Sequence, residues 1–134
     1  MTNIVTIEGI GPVYAEKLTA AGAKTVEGFL DMAKDPKGRK ALAEATGIEE
    51  HRILKWANKA DLMRIKGVGE EYSDLLEAAG VDTVKELKHR KAENLHAKME
   101  EVNAEKKLVR QTPSLKSVTD WVEQAKTLPA VLTY

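Results

Sequence analysis

Hydrophobic positions recur at helical spacing in two stretches of the chain, and each stretch contains a Gly-hydrophobic-Gly step. The first stretch runs from Ile7 to Gly22 (I-E-G-I-G-P-V-Y-A-E-K-L-T-A-A-G) and the second from Ile65 to Gly80 (I-K-G-V-G-E-E-Y-S-D-L-L-E-A-A-G). A helical pattern that stops at Gly-x-Gly and restarts at once predicts a tight hairpin between two helices, because glycine adopts backbone angles that a side chain obstructs. The second helix presents unpaired N–H groups at the hairpin.

These two stretches belong to a longer internal repeat. At an offset of 58 residues, the 24 positions from Ile7 to Leu30 contain ten identities with their counterparts. The pattern around Trp56 matches that around Trp121 at a longer offset, so the second repeat carries about seven extra residues, which we place around residues 111–114. A repeat of this size predicts two helical units that bury a shared core.

Polar residues and glycines predict where the other helices begin and end. Thr25 and Asp35 stand before helical patterns as N-caps, Pro113-Ser114 starts the last helix, and Gly47 stops a helix. In the second repeat, we expect one helix to extend from Asp82 or Thr83 to about Arg90. Asn94 is expected to cap a further helix, which Asn103 breaks near Val102, and a short helix then reaches Arg110.

The aromatic residues occupy equivalent places in the two repeats. Trp56 and Trp121 lie within apolar stripes, which predicts core anchors rather than stacking platforms. Tyr14 and Tyr72 follow the hairpins by one turn, and we expect them to pack between the two motifs, with an OH near the hairpin mouth as the alternative. An apolar segment at residues 130–134 follows the last helix and is expected to pack on the domain.

Both stretches resemble the helix-hairpin-helix motif, whose pattern is hydrophobic-x-Gly-hydrophobic-Gly-x-x-x-Ala-x-x-hydrophobic. The tandem arrangement is similar to a family of small bacterial proteins of unknown function that carry two such motifs. The resemblance implies an all-α protein of two tandem helix-hairpin-helix repeats packed as one compact helical unit. Repeat 1 would span residues 1–64 and repeat 2 residues 65–134.

The same resemblance implies sequence-independent binding of double-stranded DNA, because loop N–H groups contact a phosphate in DNA-binding members of this class. The candidate contacts are the loop residues and the nearest lysines: Gly9, Ile10, Gly11 and Lys17 at the first hairpin, and Lys66, Gly67, Val68 and Gly69 at the second. The alternative is that the glycines only form the turns, with Ile10 and Val68 inserted into the core.

The residues after each hairpin distinguish the two sites. Pro12 removes one N–H donor at the first hairpin. Glu70 and Glu71 follow the second hairpin, and a carboxylate there repels a docked phosphate by about 1 kcal/mol near a surface. The first hairpin is therefore the better candidate for phosphate contact.

The charge balance is even, with 21 basic and 21 acidic residues. Residues 1–64 contain ten basic and nine acidic residues and the remainder eleven and twelve, so a nucleic-acid surface must come from local clusters. An aromatic content of 4% argues against a surface on which single-stranded bases stack. Three basic clusters could contact DNA, or could be solvated helix ends: Lys34, Lys37, Arg39 and Lys40; Lys88, His89, Arg90 and Lys91; Lys106, Lys107 and Arg110.

Catalytic chemistry is not predicted. The chain has no cysteine, its three histidines lack metal-ligand spacing, and no phosphate-binding or nucleophile signature is present. We therefore expect no enzyme, no metal and no cofactor. Without a signal peptide or a membrane-spanning stretch, we expect a cytoplasmic protein with no membrane partner. A protein-interaction or assembly module that keeps the fold but not DNA binding is the alternative function, which the zero net charge supports.

Overall fold

Helices make up most of the part of the chain that the structure describes. A computed structural model describes residues 3–7 and 9–134, and these residues form helices, turns and no strand, so the predicted all-α class is confirmed. The N-terminal stretch in which no signal peptide is expected includes residues 1, 2 and 8, which lie outside the described residues. A 3-10 helix at Ile4–Thr6 precedes α1 (Pro12–Ala20), α2 (Val26–Ala33), α3 (Pro36–Thr46), α4 (Glu50–Leu62), α5 (Glu70–Ala78), α6 (Val84–Leu87), α7 (Ala92–Lys106) and α8 (Leu115–Thr127).

The predicted capping residues define several of these boundaries. The side chains of Thr25, Asp35 and Ser114 each accept a hydrogen bond from the N–H group three residues farther on, at 3.0, 2.7 and 3.1 Å. Each of these bonds satisfies a donor that the first turn of a helix leaves unpaired. Gly47 ends α3 with a left-handed φ of 75°. These predicted starts and this predicted stop are confirmed.

The internal repeat is visible in the helix boundaries. α5 begins 58 residues after α1, and α4 and α8 have the same length of 13 residues at an offset of 65. The second repeat is longer than the first in two places and two residues shorter over α6 and the loop after it. α7 has 15 residues against 11 in α3, and the loop before α8 is longer than the loop before α4. The predicted site of insertion at residues 111–114 therefore accounts for only part of the difference.

Three boundaries predicted inside the second repeat are wrong. α6 ends at Leu87 instead of reaching Arg90, and α7 is continuous, so Asn94 does not cap it and Asn103 does not break it. The polar side chain of Asn103 has another use. It accepts from the Val109 N–H at 2.9 Å and donates to the Val109 carbonyl at 3.1 Å, which closes the loop after α7.

Two compact units make up the chain. One consists of Met1–Asp61 together with Val131–Tyr134, and the other of Leu62–Ala130. In the first unit, α1 and α2 pack against α3, while in the second α5 and α8 pack against α7. Fully buried large side chains form each core: Ile4, Ile7, Leu18, Phe29, Leu42 and Ile53 in the first unit, and Leu62, Ile65, Leu75, Leu76, Leu87 and Met99 in the second.

The apolar segment after α8 packs on the first unit, which confirms the expectation that it packs rather than extends into solvent. Leu132 is buried, and the Thr133 N–H donates to the Lys34 carbonyl at 2.8 Å. The last four residues therefore belong to the first unit, although their position in the sequence places them in repeat 2.

Candidate nucleic-acid interface

The first glycine of each Gly-hydrophobic-Gly step is required by the fold. We call residues Gly9–Gly11 the first Gly turn and residues Gly67–Gly69 the second Gly turn. Gly9 and Gly67 have φ values of 95° and 100°, which L side chains rarely adopt. A Cβ atom added to Gly9 would lie 3.1 Å from Nε1 of Trp56, and one added to Gly67 would lie 3.0 Å from Nε1 of Trp121. Both conformation and packing therefore demand glycine at these two positions.

The middle residue of each turn points into the core. Ile10 and Val68 are buried, and their N–H groups donate to the carbonyls of Ile7 and Ile65 at 3.1 and 3.0 Å. Their side chains therefore lie in the core, as the alternative for these two residues predicted, and their N–H groups, which the resemblance makes candidate phosphate contacts, are already paired within the chain. Each instead fixes the path of the turn around it.

The last glycine of each turn stands in a different environment. Gly11 and Gly69 are exposed and precede α1 and α5 as N-caps, with extended φ values of −82° and −102°. A Cβ atom added to either would have no neighbour within 4 Å among the described residues. Neither conformation nor packing requires glycine here. Because glycine has no side chain, α1 and α5 also begin without a side-chain cap for the N–H groups of their first turns, and Pro12, the first residue of α1, supplies no N–H group.

An aromatic pair supports each turn from inside its unit. The rings of Tyr14 and Trp56 lie 5.2 Å apart at 60°, and those of Tyr72 and Trp121 lie 5.3 Å apart at 51°. Both tryptophans are buried, which confirms them as core anchors. Tilted ring pairs at this distance contribute about 0.5–1.5 kcal/mol beyond the area they bury. Both tyrosines are therefore packing residues, and each packs against the tryptophan of its own unit.

Two exposed lysines lie close to the first Gly turn in the sequence. Lys17 is in the last turn of α1, six residues after the N-cap Gly11, which places it about 9 Å along the helix axis. Lys24 lines a groove of about 630 Å³ that runs along α1 and also includes Pro12. If a phosphate binds at the turn, both lysines are placed to contact the neighbouring phosphates of the same nucleic acid rather than that one.

The second Gly turn is held by a residue that sequence reasoning missed. The side-chain amide of Gln124 in α8 accepts from the Lys66 N–H at 2.9 Å and donates to the Lys66 carbonyl at 3.0 Å. Gln124 also donates to Asp120 at 2.8 Å, which orients the amide. The equivalent position in the first repeat is Lys59, so the repeat comparison gives no signal for this clamp. Lys66 keeps its exposed side chain next to the turn.

Comparison with known proteins places this arrangement in a family. The model of the family described as "Domain of unknown function (DUF4332)" matches residues 8–128. The chain belongs to the DUF4332 family. No curated protein and no solved structure matches the chain. The DUF4332 match includes both Gly turns and both tryptophans, whereas Val131–Tyr134 lies beyond it.

Acidic residues at the second Gly turn make the two turns of this DUF4332 protein electrostatically different. Glu70 and Glu71 occupy the first turn of α5, and Glu71 is exposed. The first turn of α1 contains no acidic residue. Carboxylates at the N-terminus of α5 place negative charge beside the second Gly turn, which opposes an anion there.

The three predicted basic clusters are only partly available at the surface. Arg39 is 6% exposed and donates to the carbonyls of Ala33 and Thr133, at 2.9 and 2.7 Å. Arg90 donates to Glu86 at 2.8 Å and to the Gly80 carbonyl at 2.9 Å. These two arginines stabilise the fold, so their clusters are reduced to lysines and a histidine. Every member of the third cluster is exposed.

The described residues contain neither a metal-ligating group nor a membrane-spanning helix. Within residues 3–7 and 9–134, no three His, Cys, Asp or Glu side chains are grouped so that they could hold a metal ion. In the same residues, no helix has the length and apolar character needed to cross a membrane.

Proposed function

We propose that this DUF4332 protein is a non-catalytic, sequence-independent DNA-binding protein that contacts a backbone phosphate of duplex DNA through the first Gly turn. Support comes from the resemblance of both turns to the helix-hairpin-helix motif and, above all, from Gly11. This residue is exposed, has an unstrained φ of −82°, and would have no neighbour within 4 Å of an added Cβ atom. Glycine at such a position leaves room for a ligand from outside the chain.

Glycine is not the most stabilising residue at a helix N-cap. Asn, Asp and Ser rank above it because their side chains satisfy a free N–H group, although the difference from glycine is only a few tenths of a kcal/mol. Glycine at Gly11 and Gly69 instead leaves the N–H groups in the first turns of α1 and α5 without a side-chain cap, and Pro12 leaves α1 with one N–H group fewer. A helix N-terminus with accessible N–H groups attracts phosphate.

The first Gly turn is the better phosphate site of the two. Lys17 lies farther along α1, Lys24 lines the groove that also includes Pro12 and Glu16, and α1 carries no acidic residue in its first turn. At the second turn, Glu70 and Glu71 add negative charge, which offsets the cation of Lys66. The protein would therefore bind weakly and through few phosphates, in keeping with its zero net charge.

Duplex DNA fits the proposal better than a single strand. Binding of single strands relies on aromatic rings on which bases stack. In the described part of the chain, both tryptophans are buried, and Tyr14 and Tyr72 pack against them. The Arg52 guanidinium also lies over the Tyr14 ring, 5.4 Å from its centre. The rings near the turns are thus occupied, and contact with the phosphate backbone is the remaining mode.

A matched pair of variants tests the proposal. Gly11→Asp gives α1 a side-chain cap and places a carboxylate where the phosphate would lie, and Gly69→Asp makes the same change at the second turn. Both should stabilise the fold by about 0.5–1 kcal/mol, because a capping carboxylate also favours the helix dipole. Anisotropy of a labelled duplex should show affinity reduced at least about tenfold by Gly11→Asp, because charge repulsion and a lost charged hydrogen bond each contribute about 1 kcal/mol or more.

The control variant should behave differently. Gly69→Asp adds a carboxylate beside Glu70 and Glu71, where we propose no phosphate, so duplex affinity should change less than about threefold. Equal effects of the two variants would show that total charge, rather than the first Gly turn, controls binding. Unchanged affinity in Gly11→Asp would refute the proposed contact.

A protein-interaction module is the second candidate, and exposed apolar residues near the first Gly turn favour it. Val5 is 46% exposed and Val13 is 66% exposed. Val5 also lines the groove along α1, together with Pro12. If the partner is a protein, Val13→Ser should reduce its binding and salt should have little effect. If the partner is DNA, the same variant should leave duplex affinity within about twofold, because Val13 carries no charge.

A further inference from the structure

The segment Val131–Tyr134, which we call the strap, belongs to the first unit. Its residue Thr133 uses both main-chain groups. The Thr133 N–H donates to the Lys34 carbonyl at 2.8 Å, and the Thr133 carbonyl accepts from Nη2 of Arg39 at 2.7 Å. Main-chain bonds of this kind provide affinity for an extended peptide whatever its side chains. We call Lys34, Arg39 and Asn58, which contact the strap, the seat.

Arg39 is the buried cation of the seat. Its guanidinium is held from one side by the Ala33 carbonyl at 2.9 Å and lies 5.7 Å from the centre of the Tyr134 ring. The residue is only 6% exposed. A buried cation that loses hydrogen-bond acceptors is destabilising. Departure of the strap would remove the Thr133 carbonyl and the Tyr134 ring from Arg39, so an empty seat favours rebinding of the same groups.

The side chains of the strap add specificity to these main-chain bonds. Leu132 is 8% exposed, and the Tyr134 OH donates to Oδ1 of Asn58 at 3.1 Å. One apolar and one aromatic side chain on alternate residues, together with two main-chain bonds, form a recognition pattern typical of extended peptides. The segment that fits this pattern is Leu132–Tyr134 of the chain itself.

The strap is joined to the rest of the chain by a short connection. α8 ends at Thr127, and the strap begins after Leu128, Pro129 and Ala130, of which the last two are exposed. Each strap contact is noncovalent, and the strap of another molecule offers the seat the same groups. Exchange of an identical element between copies is a low-cost route to association. We propose that the seat also accepts the strap of a second copy, so that two chains exchange straps and associate.

Concentration should control this exchange. A short connection holds the strap of the same chain near its seat at an effective concentration of the order of millimolar. The strap of another copy therefore competes only as the protein concentration approaches that range, and a trapping method is needed to accumulate the exchanged form. This inference does not depend on DNA binding, since the seat and the first Gly turn share no residue.

Cysteine trapping tests the proposal, because the chain has no cysteine of its own. The main-chain hydrogen bond between Thr133 and Lys34 holds these two residues next to each other, and a disulfide spans α-carbons about 4.4–6.8 Å apart. One variant of the chain carries Lys34→Cys and another carries Thr133→Cys. The two are mixed at several concentrations under oxidising conditions and separated on non-reducing gels. A mixture of Lys34→Cys with Ala130→Cys is the matched control, and the double variant Lys34→Cys/Thr133→Cys verifies the geometry.

Strap exchange predicts a disulfide between the Lys34→Cys and Thr133→Cys chains, formed at least about tenfold faster than in the Ala130→Cys control and faster at higher concentration. Adding Arg39→Gln to the Lys34→Cys chain should reduce that rate toward the control. Formation no faster than the control, with a disulfide inside the double variant, would overturn the proposal by showing that the seat accepts only its own strap. Absence of any disulfide in the double variant would overturn it as well, because the strap would then not occupy the seat.

Discussion

Gly9→Ala and Gly11→Ala should have very different effects on stability, although the two glycines are two positions apart. At Gly9, φ is 95° and an added Cβ atom would lie 3.1 Å from Nε1 of the buried Trp56. At Gly11, φ is −82° and no described atom lies within 4 Å of an added Cβ atom. The first substitution therefore strains both backbone and packing, and the second strains neither.

The structure gives the size of this difference. A left-handed conformation costs an L residue about 1–2 kcal/mol, and crowding a packed side chain costs about 1–3 kcal/mol. Alanine also restricts the unfolded chain, which returns about 0.4–1 kcal/mol. Gly9→Ala should thus destabilise the first unit by about 2 kcal/mol. Gly11→Ala gains stability because alanine restricts the unfolded chain, and it loses stability because alanine is a weaker N-cap than glycine. These two effects nearly cancel, so the free energy of unfolding should change by less than about 0.5 kcal/mol.

Urea unfolding measures both variants. Tryptophan fluorescence reports the transition, since Trp56 lies against Gly9 in the first unit. With a slope of about 2 kcal/mol per molar urea, Gly9→Ala should lower the midpoint by about 1 M, and Gly11→Ala should barely move it. Gly67→Ala, which faces Trp121 at 3.0 Å, should repeat the loss in the second unit. Midpoints of Gly9→Ala and Gly11→Ala that agree within about 0.2 M would refute this account of the turn.

Further predictions concern the charges and the clamp. Lys17→Glu combined with Lys24→Glu should weaken duplex binding at least about tenfold without changing the circular dichroism spectrum; equal affinity would contradict the proposed phosphate contacts. Gln124→Leu removes both bonds to the Lys66 backbone and should destabilise the second unit by about 1–2 kcal/mol in urea, whereas a loss below about 0.3 kcal/mol would show that the clamp is not structural. Tyr72→Phe removes one exposed bond to the Gln111 carbonyl, so its loss should stay below about 1 kcal/mol in the same assay.

The sequence predicts the local parts of this fold well. Thr25, Asp35 and Ser114 cap helices through bonds that span three residues, and Gly47 ends a helix through its own φ. Because these interactions are short-range, the identity of one residue and its neighbours is enough to predict them. The sequence also predicts that helices recur in the two repeats, and the equal lengths of α4 and α8 agree with this prediction.

Long-range contacts account for what the sequence does not predict. Arg39 belongs to a cluster that suggests a basic surface, yet it is buried because a residue 94 positions later supplies an acceptor. Gln124 holds Lys66 across 58 residues, and nothing in either residue type signals this pairing. Asn103 is of a residue type that often ends helices, but its side chain bonds to Val109 and α7 continues past it. At the candidate site, Gly9 and Gly11 look alike in sequence, and only their φ values and neighbours distinguish them.

The most direct test of the proposed function is the salt dependence of duplex binding by the unmodified chain. Fluorescence anisotropy of a labelled duplex would be titrated with the protein at about 50 and 200 mM salt, up to protein concentrations above about 10⁻⁴ M. With about two phosphates neutralised by lysines, the logarithm of the affinity should fall with a slope of about −2, or about tenfold between the two conditions. An absence of binding at the lower salt would contradict the proposal and leave the Gly turns as structural elements of a protein-interaction module.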